Sequence, residues 1–290
     1  MMKDVGDLDK SVKQLLLAIR QSGVVALSLQ TIVQNEGKAT EGFASDSDRL
    51  RKKRAAKTLV DLVVQDILFL AASETNLGCI LLDAEESTPL TSAHKSSVAF
   101  DVVLIIDPID GTLEYVEGRD NYSVCLGINR NGKISFAAVH FPARDILYFS
   151  TDGTSYRVEQ FTFAGLDLMA RLRPIHSAGN VVYVNRRVPA EMIALLTSAG
   201  FDVHDDEEDD IGVPDVLLRC MTGSVVCYIS HTRQVRDILL GAIIQNTPNG
   251  FAVDWLGKDL NWPTTPRISR AIFGIGSCPE SIVEITSRFQ

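Results

Sequence analysis

The segment Asp107-Pro108-Ile109-Asp110-Gly111-Thr112 carries the residue types of a combined metal and phosphate site. Its two carboxylates stand three positions apart and follow the apolar run 98–106. Pro108 stiffens the turn because its ring fixes φ, and Gly111 lets backbone N–H groups approach a ligand closely. Thr112 suits the start of a helix, where unpaired N–H groups can bind phosphate.

Carboxylates beside such an anion site would repel phosphate unless cations lay between them. Mg²⁺ takes oxygen ligands from carboxylates, water and substrate phosphate. The segment therefore predicts a phosphate that is held through metal ions. The alternative is an acidic turn followed by an ordinary helix cap, which Pro108, Gly111 and Thr112 in these positions disfavour.

Two other acidic elements complete the predicted site. Asp83-Ala84-Glu85-Glu86-Ser87 follows the short apolar run 77–82, which indicates a buried strand. Two strands that end in carboxylates bring those carboxylates to one sheet edge. Asp237 precedes the apolar run 238–244 and is the expected ligand from a helix start near that edge.

The elements that position these residues differ between the two halves of the chain. The first half shows helical periodicity over 8–30 and 55–72, and Asn131-Gly132 and Asp152-Gly153 each join two short strand-like runs as hairpins. The second half alternates strands and helices, which predicts an α/β unit. The predicted strands are 181–184, 201–203 and 225–230, and the predicted helices are 190–198, 213–222 and 235–245. We expect an N-terminal α+β domain over 1–165 and a C-terminal α/β domain over 166–290.

Composition limits the classes of partner. The 290-residue chain has a net charge of −9, which argues against binding a nucleic acid polymer. Residues 1–10 lack the apolar core of a signal peptide, and the apolar run 59–72 is too short and too charged to cross a membrane. The five cysteines are scattered, which is typical of reduced thiols. These features predict a cytoplasmic protein with no membrane partner. The acidic run His204–Asp210 and the basic run 49–57 are interpreted as solvated.

The motifs together resemble those of the inositol monophosphatase superfamily of magnesium-dependent, lithium-sensitive phosphatases. Its D-P-x-D-G-T signature is present at Asp107–Thr112, and its other motifs occur along the chain in the same order as in the family. These are Thr58-Leu59-Val60-Asp61, Ala84-Glu85-Glu86 and Arg236-Asp237-Ile238-Leu239-Leu240-Gly241. The resemblance implies a layered αβαβα sandwich of the inositol monophosphatase and fructose-1,6-bisphosphatase type. It also implies a small phosphate ester as substrate and allows a homodimer.

The resemblance further implies a set of metal ligands. Glu85, Asp107 and the carbonyl of Ile109 would bind the first Mg²⁺ ion, and Asp107, Asp110 and Asp237 the second. Glu85 would touch a third, weaker ion, so the site would hold two or three ions.

The resemblance assigns the remaining roles to residues around these ligands. Asp61 and Thr112 would orient and help deprotonate the attacking water. The N–H groups of Gly111 and Thr112 would hold the phosphate. Arg236 stands where the family has Trp, so it would either pair with the neighbouring carboxylate and compete with metal or meet the substrate phosphate.

Local sequence favours one branch of the superfamily. Residues 111–124 and 253–262 resemble the 3′(2′),5′-bisphosphate nucleotidases. Ser230 stands seven residues before Asp237, where inositol monophosphatases carry an acid that contacts the substrate ring. The expected substrate is 3′-phosphoadenosine 5′-phosphate, and an inositol or sugar phosphate is the alternative. Because Arg236 and Ala84 depart from the family pattern, a catalytically impaired scaffold or regulatory protein is the alternative of another class.

Overall fold

The computed structural model describes residues 8–34, 36, 57–75, 81–92, 102–177 and 179–289. Helices in this part of the chain are α1 (Lys10–Leu29), α2 (Leu59–Ser73), α3 (Thr112–Val116), α4 (Phe161–Ala164), α5 (Ala190–Ser198), α6 (Val213–Met221), α7 (Leu239–Gln245) and α8 (Glu280–Ser287). Short 3₁₀ turns cover Pro142–Arg144 and Arg236–Ile238.

The strands are β1 (Leu81–Ala84), β2 (Val102–Asp110), β3 (Ser123–Arg130), β4 (Lys133–Phe141), β5 (Ile146–Thr151), β6 (Thr154–Glu159), β7 (Met169–Arg171), β8 (Val181–Val184), β9 (Asp202–Asp205), β10 (Cys227–Gln234), β11 (Gly250–Asp254) and β12 (Arg267–Ile275). A seven-stranded sheet holds β1 to β7 in sequence order, with only the β1–β2 pair parallel. A five-stranded mixed sheet has the order β11-β12-β10-β8-β9.

The structure has five layers held together by three apolar clusters, of which the middle one includes both sides of the helices between the two sheets. Helices α1 and α2 pack on one face of the seven-stranded sheet, through side chains such as Ile19 and Leu68. Helices α6 and α7 lie between the two sheets, where Ile243 belongs to the same cluster as Ile105 and Phe273. Helices α5 and α8 cover the outer face of the five-stranded sheet. This order of layers confirms the predicted αβαβα sandwich.

Strand β2 shows why its sequence reads as a continuous apolar run. Ile105 faces the cluster between the sheets, while Leu104 and Ile106 face the cluster under α1 and α2. Alternate side chains of a strand point to opposite faces, and both faces of this strand are covered. Burial on both sides therefore requires apolar residues at every position until the strand reaches Asp107.

Both predicted hairpins are confirmed, and several other elements differ from expectation. Asn131-Gly132 and Asp152-Gly153 have positive φ at both positions, as a type I′ turn requires. Helix α2 begins after Thr58, where a capping box fixes its start, and not at the predicted residue 55. The predicted helix 235–245 is a 3₁₀ turn followed by α7.

No helix or strand was predicted after residue 245. The structure places β11, β12 and α8 there, and it adds the short strand β7. Strand β12 is central, because it lies between β11 and β10. Its exposed half carries Arg267, Ser269 and Arg270. These polar residues interrupt the apolar sequence pattern that is typical of a core strand.

The acidic run His204–Asp210 is only in part the solvated loop that was expected, since Glu208 and Asp209 are exposed but Asp206 is buried. Asp206 is 1% exposed, pairs with Arg233 and accepts a hydrogen bond of 2.7 Å from the Tyr228 hydroxyl. Asp210 pairs with Arg119 at 3.2 Å, which ties this turn to the first half of the chain. The partly buried Arg233 is stabilised by the buried carboxylate of Asp206, which the run supplies. Of the basic run 49–57, only Lys57 lies within the described residues, and it pairs with Glu86 at 2.9 Å.

Helix α1 is the one described helix that is long and apolar enough, by length and composition, to cross a membrane. Its buried side, which includes Leu15, Leu16 and Ile19, packs against α2 and the seven-stranded sheet. In this structure α1 therefore acts as a core helix.

Candidate active site

The end of β2 is irregular, and the irregularity sets the positions of the two aspartates. Asp107 lies opposite Cys125 on β3, while Asp110 lies opposite Ser123, so β2 contains one extra residue. In a regular strand, residues three apart point to opposite faces. The bulge removes that offset, and Pro108 within it has no N–H that would be left without a ladder partner. Asp107 and Asp110 can therefore serve one site.

Gly111 turns the chain from β2 into α3. Its φ is +89°, a region that glycine adopts readily and other residues rarely do. A Cβ atom here would stand 3.0 Å from the Asn121 carbonyl oxygen, so neighbouring backbone also excludes a side chain. The glycine is thus required both by conformation and by close approach.

Asp61 is fully buried at the start of α2 and is held by two hydroxyl groups. Its Oδ2 accepts hydrogen bonds from the Thr58 backbone N–H at 2.8 Å and the Thr58 hydroxyl at 2.6 Å. Its Oδ1 accepts a bond of 3.2 Å from the Thr112 hydroxyl, which also lies 2.9 Å from the Ile109 carbonyl. Burial raises the pKa of Asp61 to about 6, with smaller contributions from the charges of Glu85 and Glu86. This pKa suits a carboxylate that accepts a proton near neutral pH.

Parallel pairing of β1 with β2 places Glu85 beside Asp107. Ala84 is in register with Ile106, and the Glu85 N–H donates to the Ile106 carbonyl at 3.3 Å. Behind it, the backbone of Glu86 exchanges hydrogen bonds of 2.9 and 3.0 Å with the buried Gln65 side chain. Glu85 therefore stands on a backbone that α2 fixes in place.

The acidic side chains share one electrostatic environment. Asp107 is 3% exposed, and its Oδ1 is buried with no hydrogen-bond partner among the described residues. Burial raises the pKa of Asp107 well above its ordinary value, and the charges of Glu85, Asp110 and Asp237 raise it further. Carboxylates crowded in this way are stabilised by a bound cation.

Asp237 reaches this environment from the other half of the chain. It lies in the 3₁₀ turn between β10 and α7, and burial raises its pKa while the charges of Arg236 and Arg233 lower it. Arg236 places one terminal nitrogen 3.3 Å from Asp83 Oδ1, while its Nε lies 3.9 Å from Asp237 Oδ1. The guanidinium thus pairs with the neighbouring Asp237, as one expectation held, and lies closer to Asp83, which was not expected. Contact of Arg236 with a substrate phosphate stays a prediction.

The donor chemistry of this cluster fits a hard divalent cation, since carboxylate and carbonyl oxygens are the ligands that Mg²⁺ prefers. The orphaned Asp107 Oδ1 is an oxygen that such an ion would satisfy. Across the described ranges, no three acidic, His or Cys side chains form a closed coordination group. The residues thus define an acid-lined site whose oxygen atoms are of the type that such an ion binds.

Two residues that lie within the predicted motifs had no individual role assigned from sequence, and the structure places both at the site. Thr58 orients Asp61, and the Thr-x-x-Asp spacing of a capping box was the available signal. Asp83 pairs with Arg236 across 153 positions of sequence, and no local pattern could have indicated that pair.

Comparison with known proteins agrees with the geometry. The sequence model of the inositol monophosphatase family matches residues 17–262, which is well over half of the chain. The protein belongs to this family.

Three similar proteins illustrate the range of the family. The fructose-1,6-bisphosphatase/inositol-1-monophosphatase of Thermotoga maritima is 39% identical over 172 residues, which cover 56% of this chain and 60% of that enzyme. The 3′(2′),5′-bisphosphate nucleotidase CysQ of Shigella flexneri is 23% identical over 168 residues, or 57% of this chain and 63% of CysQ. The matched segments thus span less than two thirds of either relative. An IMPase/NADP phosphatase crystallised with NADP and Ca²⁺ has a TM-score of 0.68, at 17% identity, over 98% of this chain and 97% of that one.

Proposed function

We propose that this protein is a Mg²⁺-dependent phosphomonoester hydrolase. The observation that supports it most directly is the buried Asp107, whose pKa is raised by burial and by three other acids while its Oδ1 has no hydrogen-bond partner within the described residues. Glu85, Asp107 and the Ile109 carbonyl would hold one ion, and Asp107, Asp110 and Asp237 another. Bound Mg²⁺ supplies positive charge that activates water and stabilises the leaving oxygen.

The chain's own residues would handle the proton of the attacking water. The Thr112 hydroxyl has one hydrogen and two nearby acceptors, Asp61 Oδ1 and the Ile109 carbonyl. When it donates to Asp61, its lone pairs are available to water, and the proton of that water can pass through the hydroxyl to Asp61. A carboxylate with a pKa of about 6 is ionised at neutral pH and can take this proton.

The phosphate group would lie against the turn that follows β2. Gly111 and Thr112 are the proposed donors of backbone N–H groups to the phosphate oxygens, since an N-terminal helical turn leaves N–H groups without internal partners. Arg236 is a further proposed contact for the phosphate or for a second anionic group of the substrate.

We infer a 3′(2′),5′-bisphosphate nucleotide, such as 3′-phosphoadenosine 5′-phosphate, as the substrate. Supporting this choice, Ser230 is 1% exposed and supplies no carboxylate where a substrate ring would need one. CysQ, a relative across 57% of this chain, carries the name of that activity. The second candidate, an inositol or sugar phosphate, is favoured by the 39% identity to the Thermotoga maritima enzyme.

A cytosolic location and a small-molecule partner complete the proposal. Cys125, Cys220, Cys227 and Cys278 are all free thiols in this structure, as expected in a reducing compartment. Homodimer formation, the absence of a nucleic acid polymer as partner, and the domain boundary at 165/166 remain predictions.

The deciding experiment compares phosphate release from 3′-phosphoadenosine 5′-phosphate, inositol 1-phosphate and fructose 1,6-bisphosphate, with Mg²⁺ and with a chelator. We expect Mg²⁺-dependent release, fastest with the nucleotide. Fastest release from either other ester would overturn the substrate assignment. Absence of release from all three, combined with no Mg²⁺ binding in calorimetry, would favour the scaffold alternative.

A further inference from the structure

Arg236 is the cation next to the proposed metal ligand Asp237 in sequence, and it lies within the acidic site. Its side chain is 18% exposed and bridges two elements, with Asp83 at the end of β1 on one side and Asp237 in the 3₁₀ turn on the other. Its Nε is buried and makes no hydrogen bond to any described residue. The guanidinium is therefore held by charge within the acid cluster and not by a complete set of hydrogen bonds.

The charges around this guanidinium are those of the proposed metal site. Burial opposes its ionisation, yet the charges of Asp237, Asp107, Asp83 and Glu85 raise the pKa of Arg236. In the other direction, Arg236 lowers the pKa of Asp107, against the combined effect of burial and neighbouring acids. Arg236 thus already neutralises part of the negative charge that would attract divalent ions.

We propose that Arg236, whose guanidinium is shared between Asp83 and Asp237, acts as a built-in cation that takes one of the cation positions of the acidic site, so that the native protein binds fewer or weaker divalent ions than a variant without this charge. The inference rests on the proposed function, because it concerns the same acids. A guanidinium beside Asp237 repels a divalent ion that approaches the same carboxylates. It also neutralises negative charge on carboxylates that would otherwise bind the weakest-bound ion.

Asp83 is a positioning residue in this proposal. Its carboxylate draws the guanidinium toward β1, and so limits how far Arg236 occupies the side of Asp237. Without Asp83, the guanidinium of Arg236 would interact only with the proposed metal ligands. Removing Asp83 should therefore weaken ion binding only while Arg236 is present.

The test counts and ranks bound ions in the absence of any phosphate ester. Mn²⁺ is titrated by electron paramagnetic resonance and Mg²⁺ by calorimetry, in the native protein, Arg236→Gln, Asp83→Asn and the double variant. We expect Arg236→Gln to bind one more Mn²⁺ per chain, or to lower the Kd of the weakest site by at least about tenfold. Asp83→Asn should raise the Kd by about threefold or more, and the double variant should match Arg236→Gln within about twofold.

Control variants separate the proposal from charge and folding effects. Arg288→Gln removes one positive charge from an exposed ion pair on α8, and its ion binding should equal that of the native protein. If Arg236→Gln loses its native circular dichroism spectrum, Arg236→Met answers the same question with an apolar side chain.

Two outcomes would overturn the proposal, and they are distinguishable. Unchanged stoichiometry and Kd in folded Arg236→Gln or Arg236→Met, with normal Mg²⁺-dependent hydrolysis in the native protein, refutes the role of Arg236 alone. No divalent ion bound by any variant at millimolar concentration refutes the metal site and the proposed function with it.

Discussion

Replacing Asp61 with Asn should stabilise the metal-free protein at pH 8 while removing the proposed proton acceptor. The native carboxylate is fully buried, and burial raises its pKa from 3.8 to about 6. The folded state therefore holds this proton more tightly than the unfolded state does. The stability contributed by Asp61 is greatest below pH 3.8 and falls as the pH rises to about 6, where the ionised group has become costly.

The magnitude follows from the shift and from the bonds that Asn can keep. A shift of about two units corresponds to about 3 kcal/mol at pH 8. An amide oxygen can still accept from Thr58, and the amide N–H can donate to the Thr112 hydroxyl while that hydroxyl donates to the Ile109 carbonyl. The shift already contains the interaction of the charge with the start of α2, so nothing further is subtracted for it. The net gain should be about 2–3 kcal/mol.

Urea unfolding in the presence of a chelator, followed by circular dichroism from pH 4 to pH 8, measures this gain. The difference between Asp61→Asn and the native protein should be near zero at pH 4 and should reach its full size by pH 7. Asp61→Ala is the matched comparison, since it removes the charge but leaves the Thr58 donors without an acceptor, and it should be less stable than Asp61→Asn at every pH by about 1–3 kcal/mol. A difference that does not change with pH, or an Asp61→Asn protein less stable than native at pH 8, would refute the reasoning.

Other predictions concern the remaining parts of the site. Asp110→Asn should lower Mg²⁺-dependent phosphate release by about 100-fold or more because a metal ligand is lost, and full activity would remove Asp110 from the assigned site. Gly111→Ala should lower the free energy of unfolding by about 1–2 kcal/mol or more, because Gly111 has a positive φ and a Cβ there would contact Asn121. Gly118 also has a positive φ but lies in open space, so Gly118→Ala should cost only the backbone strain. Equal losses of stability in urea unfolding of the two variants would contradict this account. The affinity for Mg²⁺ should rise as the pH rises above the ordinary range of a carboxyl group, because the raised pKa of Asp107 makes protons compete with the ion. Calorimetry that shows a pH-independent Kd would contradict this expectation.

Local sequence was enough to predict the parts of the fold that depend on neighbouring residues. The strand and helix at Val181–Val184 and Ala190–Ser198 were predicted with their observed bounds. The two hairpins followed from Asn131-Gly132 and Asp152-Gly153, since few residues other than Gly, Asn and Asp accept positive φ. Strand β12 was missed because its exposed half is polar and its central place depends on pairing with distant strands.

The same distinction applies to the candidate site. The sequence by itself determined that Asp107, Asp110 and Gly111 lie together at the end of a buried strand, because that pattern depends on residues next to one another. The structure places the two aspartates within that strand, on either side of a bulge, and not in a turn after it. Only the tertiary structure decided that Asp83 and Arg236, separated by 153 positions, form an ion pair beside Asp237. Such a pair depends on how β1 and the turn after β10 meet across two sheets, and local preferences carry no information about that meeting. The departure of Arg236 from the family pattern was visible in the sequence, and its place among the acids was decided by the fold.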